Sequence, residues 1–358
     1  MQKNKSRSAT LISQFRIIKR GVLAALAGVL SLSAFSAPAM AEKAKLVVYT
    51  AIIAEDRAML ADKFEAHHPD IEINWVGEST GVITARLLAE KNNPQADIVW
   101  GLAATSLLYL KSEGMLEEYT PAGIEALDKR FIDRSIPPSW VGMDAWVASI
   151  CVNTIEAEKA GLPMPTSWKD LTNPVYKGHV VMPNPSSSGT GYLDVTSWLQ
   201  IFGEDDGWNF MDDLHKNIDH YTHSGSKPCK QAASGEATIG ISYMARAAKL
   251  KNKGAPIQLV IPSEGIGWDM EASAIIKGTD QLEAAQALMD FAITQEAMEA
   301  YSKNYAVVAL PGIESSVEGF PDGVVEAMID NNFEFAANER KRILKEWNTR
   351  YDTKSEEK

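Results

Sequence analysis

Three short apolar runs separated by two helical patterns constrain this chain most. Leu46-Val47-Val48-Tyr49-Thr50 reads as a buried strand. Asp56 to His67 follows, with Ala58, Leu60, Ala61 and Phe64 on one side, a helix that ends before Pro69. Ile71 to Val76 alternates like a strand, Gly81 to Lys91 is helical, and Ala96 to Trp100 is a strand again. Strand–helix–strand–helix–strand predicts a parallel sheet covered by helices on both faces. In such sheets ligands sit beyond the carboxyl ends of the strands.

A second set of elements follows. Trp146 to Val152 is a strand, and the stretch around Pro163 and Pro165 is a turn-rich connection. Val180-Val181-Met182 is a strand with a helix after it, Tyr192 to Phe202. Ala237 to Ile241 leads into a helix at Ala245 to Lys251, and Gln258 to Pro262 is a further short strand. Ala272 to Ile276 opens a last, mainly helical segment, Gln281 to Lys303 and Gly323 to Tyr351, with a charged tail expected to fray. The economical arrangement is an α/β chain of two lobes. Residues 42–146 begin lobe 1, residues 147–270 form lobe 2, and residues 271–358 return to lobe 1. The chain then crosses near Val147 to Val152 and near Met270 to Ile276, making a hinge with a ligand cleft between lobes.

Residues 1–41 read as an address. Lys3, Lys5, Arg7, Arg16, Lys19 and Arg20 precede the apolar stretch Gly21 to Phe35, and Ala39-Met40-Ala41 supplies a small-x-small cleavage pattern. A membrane anchor is the competing reading, but the apolar run is short for a span. Cleavage after Ala41 leaves 317 residues outside the cytoplasm, with periplasm the expected compartment. The six bases leave with the leader, so 29 Lys and Arg face 47 Asp and Glu, a net charge of −18. Such a surface repels nucleic acid and anionic lipid, and any anion must be held by local donors. Cys151 and Cys229 are free to pair in an oxidising compartment, and two buried thiols are equally consistent with the sequence.

Two donor-rich stretches stand between a strand and a helix. Asn184-Pro185-Ser186-Ser187-Ser188-Gly189-Thr190-Gly191-Tyr192 offers hydroxyls, free backbone N–H groups and a helix N-terminus, which suits phosphate, phosphonate or carboxylate. It is not a nucleotide P-loop, since no Gly-Lys-Ser/Thr follows. Gly77-Glu78-Ser79-Thr80-Gly81 is the counterpart in the first half. Each alone is an ordinary capping loop. One per lobe, they are placed to grip an oxyanion from both sides. Tyr243 follows the strand ending at Ile241, and its phenol can donate. Glu55, beside Asp56, Asp269 and Glu271 are candidate acceptors for an ammonium group. Trp100 is a candidate aromatic wall, beside the hydroxyls of Thr105 and Ser106. Each carboxylate has a solvated surface charge as its alternative, and Trp100 and Trp268 have core packing as theirs.

Catalytic signatures are missing. The chain has no Gly-x-Ser-x-Gly elbow, no His-Glu-x-x-His and no cysteines at zinc spacing. His67-His68, His215, His220 and His223 read as surface or capping residues.

On these residues the chain resembles family 1 extracellular solute-binding proteins with a type II periplasmic binding fold. The resemblance runs through Val47-Val48-Tyr49-Thr50-Ala51, Pro94 to Trp100, Pro165 to Leu171, Pro174 to Gly178, Pro185 to Gly191 and Gly235 to Ile241. Within that superfamily it is similar to 2-aminoethylphosphonate binders, through the Thr50-to-Asp56 loop, the serine-rich loop and Gly267 to Ala272. It is also related to ferric-iron binders, which use adjacent tyrosines. Here Met244 follows Tyr243, and no Tyr-Tyr pair exists. The resemblance implies a non-enzymatic receptor, without cofactor or metal, that captures 2-aminoethylphosphonate and delivers it to an ABC permease and ATPase in the inner membrane. Ser79, Thr80, Ser187, Ser188, Gly189, Thr190 and Tyr243 would then hold the phosphonate. Glu55, Trp100, Asp269 and Glu271 would hold or wall the amine. Ferric iron, a polyamine or a sugar phosphate remain alternative ligands, and a periplasmic phosphoester hydrolase the alternative activity.

Overall fold

The computed structural model describes residues 43–305, 307–314 and 317–357. The expected leader and its cleavage pattern lie outside the described residues. Ten strands and thirteen α-helices are described. The first lobe opens with β1 (Ala44–Thr50), α1 (Ala54–His67), β2 (Ile71–Gly77), α2 (Thr80–Ala89), β3 (Ile98–Ala103) and α3 (Ala104–Ser112). Strands β2 and β3 flank β1, both parallel to it. Every residue of β3 is buried, as expected of a strand covered on both faces.

The long strand β4 (Val141–Asn153) carries the chain into the second lobe. There α4 (Thr154–Ala160), β5 (Val180–Pro183), α5 (Gly189–Phe202), α6 (Glu204–Asn217) and β6 (Ile218–Thr222) follow in order. Next come α7 (Lys227–Ser234), β7 (Ile239–Tyr243), α8 (Met244–Asn252) and β8 (Ile257–Val260). The chain then returns through β9 (Trp268–Ile275) to α9 (Leu282–Ala292), α10 (Gln295–Tyr301) and β10 (Val307–Val308). It finishes with α11 (Val324–Ala327), α12 (Phe333–Asn338) and α13 (Arg340–Tyr351).

Strand β4 belongs to both sheets. Residues Val141 to Val147 pair with β9, which itself pairs antiparallel with β3. From Ala148 the partners are β7 on one side, and from Ile150 β8 on the other. Parallel β5 and β6 extend the second sheet beyond β7. The crossover therefore falls between Val147 and Ala148, and the chain is back in the first sheet by Trp268. This mixed α/β, two-lobed architecture places the carboxyl ends of β1, β2, β5 and β7 around one opening.

Several elements differ from their sequence reading. Gln281 to Lys303 is two helices, because Thr294 ends one and caps the next, its hydroxyl accepting from Ala297 N–H. Gly323 to Tyr351 is three, with Asn332 capping α12 through Phe335 N–H. Thr105 and Ser106 are buried in helix α3 rather than set in a loop. The C-terminal tail does not fray. Glu356 accepts from His223 N–H at 2.6 Å and pairs with Lys227, while Lys354 donates to the His215 and Ile218 carbonyls. The final helix packs on the second lobe through Trp347 against Tyr221 and Tyr351 against Asp212. Cys151 on β4 and Cys229 on α7 form a disulfide, with Cα atoms 5.6 Å apart.

Candidate functional site

A cavity of about 320 Å³ lies between the lobes. Its walls are built from backbone turns at strand ends. After β1, Ala51 N–H bonds to Gly101 O and Ile52 N–H to the Thr50 hydroxyl, which turns Ile52 and Ile53 toward the cavity. One turn into α1, Arg57 donates Nε–H to Ile52 O at 2.7 Å. Its guanidinium lies where a side chain at position 77 would project, so any larger residue there would have to displace it. Burial pulls the Arg57 pKa down, and Glu78 and Glu55 oppose the shift. Among the described residues lining the cavity, Arg57 is the one Lys, Arg or His.

The β2-to-α2 connection contributes Glu78, Ser79 and Thr80. Ser79 occupies the N-cap position, yet its side chain makes no capping bond. The first N–H groups of α2 therefore lack the side-chain partner that usually quiets a helix start. Across the cavity, the loop after β5 is wound tight by Asn184, whose side-chain oxygen accepts from Ser186 N–H at 2.7 Å. Ser188 caps α5 by accepting from Gly191 N–H at 3.2 Å. The two helix starts meet across the lobes, where Gly81 N–H donates to Ser187 O at 3.0 Å. A Cβ on Gly189 would come within 2.7 Å of the Thr80 hydroxyl, so this approach requires glycine.

A third donor cluster follows β6. Ser224, Gly225 and Ser226 line the cavity, with the two serine hydroxyls 3.0 Å apart and Gly225 O held by the Ser242 hydroxyl at 2.5 Å. Tyr243 at the end of β7 meets Trp146 edge to face, centroids 6.4 Å apart. Burial raises its phenol pKa, so it remains a neutral donor, and nearby Arg246 partly offsets that rise. Glu271 on β9 and Tyr305 close the far end, joined by a Tyr305 hydroxyl to Glu271 Oε1 bond of 2.8 Å. Burial pushes the Glu271 carboxyl up to about 7, while the Tyr305 bond pulls it back.

Seven of the eleven predicted site residues therefore come together: Ser79, Thr80, Ser188, Gly189, Thr190, Tyr243 and Glu271 all line the cavity. Four do not. The Ser187 hydroxyl turns to His223 O at 3.0 Å, and its own carbonyl makes the interlobe bond. Glu55 points outward, its side chain 61% exposed and 3.9 Å from Arg246. Trp100 is wholly buried in the first lobe, stacked on Trp75 and donating to the Tyr301 hydroxyl, because a fully buried strand leaves its indole no wet face. Asp269 is buried against α3, accepting from the Thr105 hydroxyl at 2.6 Å and from Met270 N–H, with burial pushing it up to about 6.

Sequence reasoning missed Arg57, Trp146, Tyr305 and the Ser224–Ser226 turn. Ser-Gly-Ser after a strand was a legible signal for the last, since it repeats the composition of the two turns already singled out. Among the described residues no group of three or more His, Cys, Asp and Glu is placed to hold a metal ion. No helix among them is long and apolar enough to cross a membrane.

Two α/β lobes around a donor-lined cleft, joined by shared strands, define a small-solute receptor. The chain belongs to the bacterial extracellular solute-binding protein family, whose model matches residues 93–329. That family consists of binding proteins rather than enzymes. An uncharacterised protein of Haemophilus influenzae is 32% identical over 322 residues, covering 85% of this chain and 90% of the relative. A probable ABC transporter periplasmic-binding protein of Sinorhizobium fredii is 30% identical over 310 residues, covering 85% and 84%. Among solved structures, the periplasmic binding protein AfuA of Actinobacillus pleuropneumoniae, with exogenous fructose-6-phosphate bound, is 31% identical. It has a TM-score of 0.79 and covers 87% of this chain and 99% of its own.

Proposed function

We propose that this chain is the periplasmic receptor of an ABC importer and captures a small organic phosphate or phosphonate whose tail carries hydrogen-bond donors. The observation that supports this most is the convergence of two helix N-termini, α2 and α5, on one cavity wall beside Arg57. Each helix start carries about half a positive charge, and the arginine adds a full one in a protein of net charge −12. A tetrahedral oxyanion uses such a wall well: three oxygens meet backbone N–H groups, the hydroxyls of Ser79, Thr80, Thr190, Ser224 and Ser226, and the guanidinium. Glu271 lies at the other end, suited to accept from an ammonium or hydroxyl.

2-Aminoethylphosphonate satisfies both ends and is the compact candidate. The 320 Å³ cavity also has room for a longer tail, and the likeness to a fructose-6-phosphate-bound protein makes a sugar phosphate the larger candidate. Closure around either would commit the receptor to delivery to a permease and its ATPase. Calorimetric titration of the ligand-stripped protein with both compounds tests the reading. One-to-one binding of either, at roughly micromolar Kd or tighter, supports it. Silence with both, alongside binding of putrescine or ferric citrate, overturns it.

A further inference from the structure

Asp144 and Glu271 are directly opposite partners on antiparallel β4 and β9. Opposite residues in such a ladder project from the same face, so the two carboxyl groups are neighbours, and like charges there repel. Their surroundings differ. Glu271 reaches the cavity and accepts the Tyr305 hydroxyl at 2.8 Å. Asp144 is 0% exposed, between β9 and β10, and neither carboxylate oxygen has a well-aligned hydrogen-bond donor. Among the described residues, the Glu271 backbone amide is the group that eases its charge. An ionised carboxylate buried so, beside a second one, is among the costliest arrangements a fold can hold.

We propose that Asp144 and Glu271 form a one-proton pair in which Asp144 keeps the proton, leaving Glu271 as the charged acceptor for the donor-bearing tail of the ligand. The argument rests on the ligand class proposed above, but the proton's position does not. The other charged and titratable groups acting on the pair are Tyr301 and Tyr305, Asp56 on α1, Lys249 on α8 and Tyr243 on β7. Among them only Lys249 is cationic, and it favours charge on Glu271 rather than on Asp144. Burial first, and the Glu271 charge second, push the Asp144 carboxyl well above the usual carboxylate range. Glu271 itself is pushed up to about 7. A ligand that donates to Glu271 favours its ionised form, so binding below about pH 7 releases a proton and affinity rises with pH toward that value. A ligand without a donor on its tail has no such term. Asp144 thus acts on specificity through Glu271, as a positioning residue that never touches the ligand.

Two measurements test this on the mature, ligand-stripped receptor. The first is infrared spectroscopy at pH 8.5 without ligand, where Glu271 and Asp269 are ionised, in an Asp194→Asn background that removes the other buried, unbonded carboxyl. A protonated-carboxyl carbonyl band should be present, disappear when Asp144→Asn is added and persist when Glu271→Gln is added. Its absence, or its loss in Glu271→Gln alone, would overturn the assignment. The second is calorimetric titration with 2-aminoethylphosphonate and fructose 6-phosphate from pH 5.5 to 8.5, in buffers of two ionisation enthalpies. For whichever probe binds, the wild-type-to-Glu271→Gln affinity ratio should rise about tenfold with pH, which cancels the ligand's own titration. Asp144→Asn should keep that pH-linked rise. A ratio flat with pH would contradict the role of Glu271. If neither probe binds wild type, the ligand class has failed, and the infrared band still decides where the proton sits. Should Asp144→Asn not fold, persistence of the band in Glu271→Gln still supports the assignment, and its loss overturns it.

Discussion

Gly81 donates its backbone N–H to the carbonyl of Ser187, 3.0 Å away across the cleft, so the start of one lobe's helix is bonded to the loop that starts the other's. That single bond ties two turns more than a hundred residues apart into one cavity wall. It forms only because no side chain intervenes. A Cβ on Gly189 would lie 2.7 Å from the Thr80 hydroxyl, closer than real contacts allow. Gly189→Ala should therefore obstruct closure and weaken ligand binding by about tenfold or more, with little change in melting temperature, since the contact is made between lobes rather than within one. Titration calorimetry with parallel thermal melting separates the two effects.

Arg57 supplies the cavity's cation. Replacing it with methionine keeps the aliphatic stem and removes charge-assisted hydrogen bonds of about 1.5–3 kcal/mol, roughly ten- to a hundredfold in Kd for a phosphate-headed ligand. The wild-type affinity should also fall more steeply with added salt than that of Arg57→Met. An unchanged Kd in the variant would remove Arg57 from the anion wall.

The Cys151–Cys229 disulfide closes a loop of 78 residues inside the second lobe. Chain-entropy reasoning assigns a loop of that length about 4 kcal/mol of stabilisation. The double substitution to serine should lower unfolding free energy by roughly that amount, measured in guanidinium, and raise the m-value, because the unfolded chain freed of its cross-link exposes more surface.

Asp194 is buried within α5, with neither carboxylate oxygen hydrogen-bonded, and desolvation raises its pKa well above the usual value. The sign follows from linkage. The folded state binds this proton more tightly than the unfolded chain, so stability from it is complete below about pH 4 and declines as pH rises toward the folded pKa. Asp194→Asn should therefore raise the melting temperature at pH 7 by several degrees, a gain that shrinks toward zero near pH 4. Melting curves across that range provide the check.

Much of this architecture was written locally. The alternation from Leu46 to Trp100 is a periodicity signal, and β1, α1, β2, α2 and β3 all form within a few residues of where it places them. The two glycine- and serine-rich turns were legible for the same reason, since strand, turn and helix start are contiguous. What failed was whatever depends on partners distant in sequence. Trp100 within β3 and Asp269 at the start of β9 read as ligand residues, yet Tyr301 and Thr105 engage them inside the core. Arg57 reads as one more charge on the exposed side of a helix, yet it bonds to the Ile52 carbonyl and lies over Gly77 at the cleft. The tail from Asp352 looked free because its charges meet Lys227 and His223, well over a hundred residues upstream.

The most direct test of the central claim is titration of ligand-stripped receptor with 2-aminoethylphosphonate and fructose 6-phosphate, against inorganic phosphate and the phosphorus-free analogues ethanolamine and fructose. The account predicts one-to-one binding of at least one phosphorus compound, roughly micromolar or tighter, and at least tenfold weaker binding of phosphate and of its phosphorus-free analogue. Equal binding of that compound and its phosphorus-free analogue would contradict it, because the wall formed by Ser79, Thr80, Ser188 and Arg57 would then not be what holds the ligand.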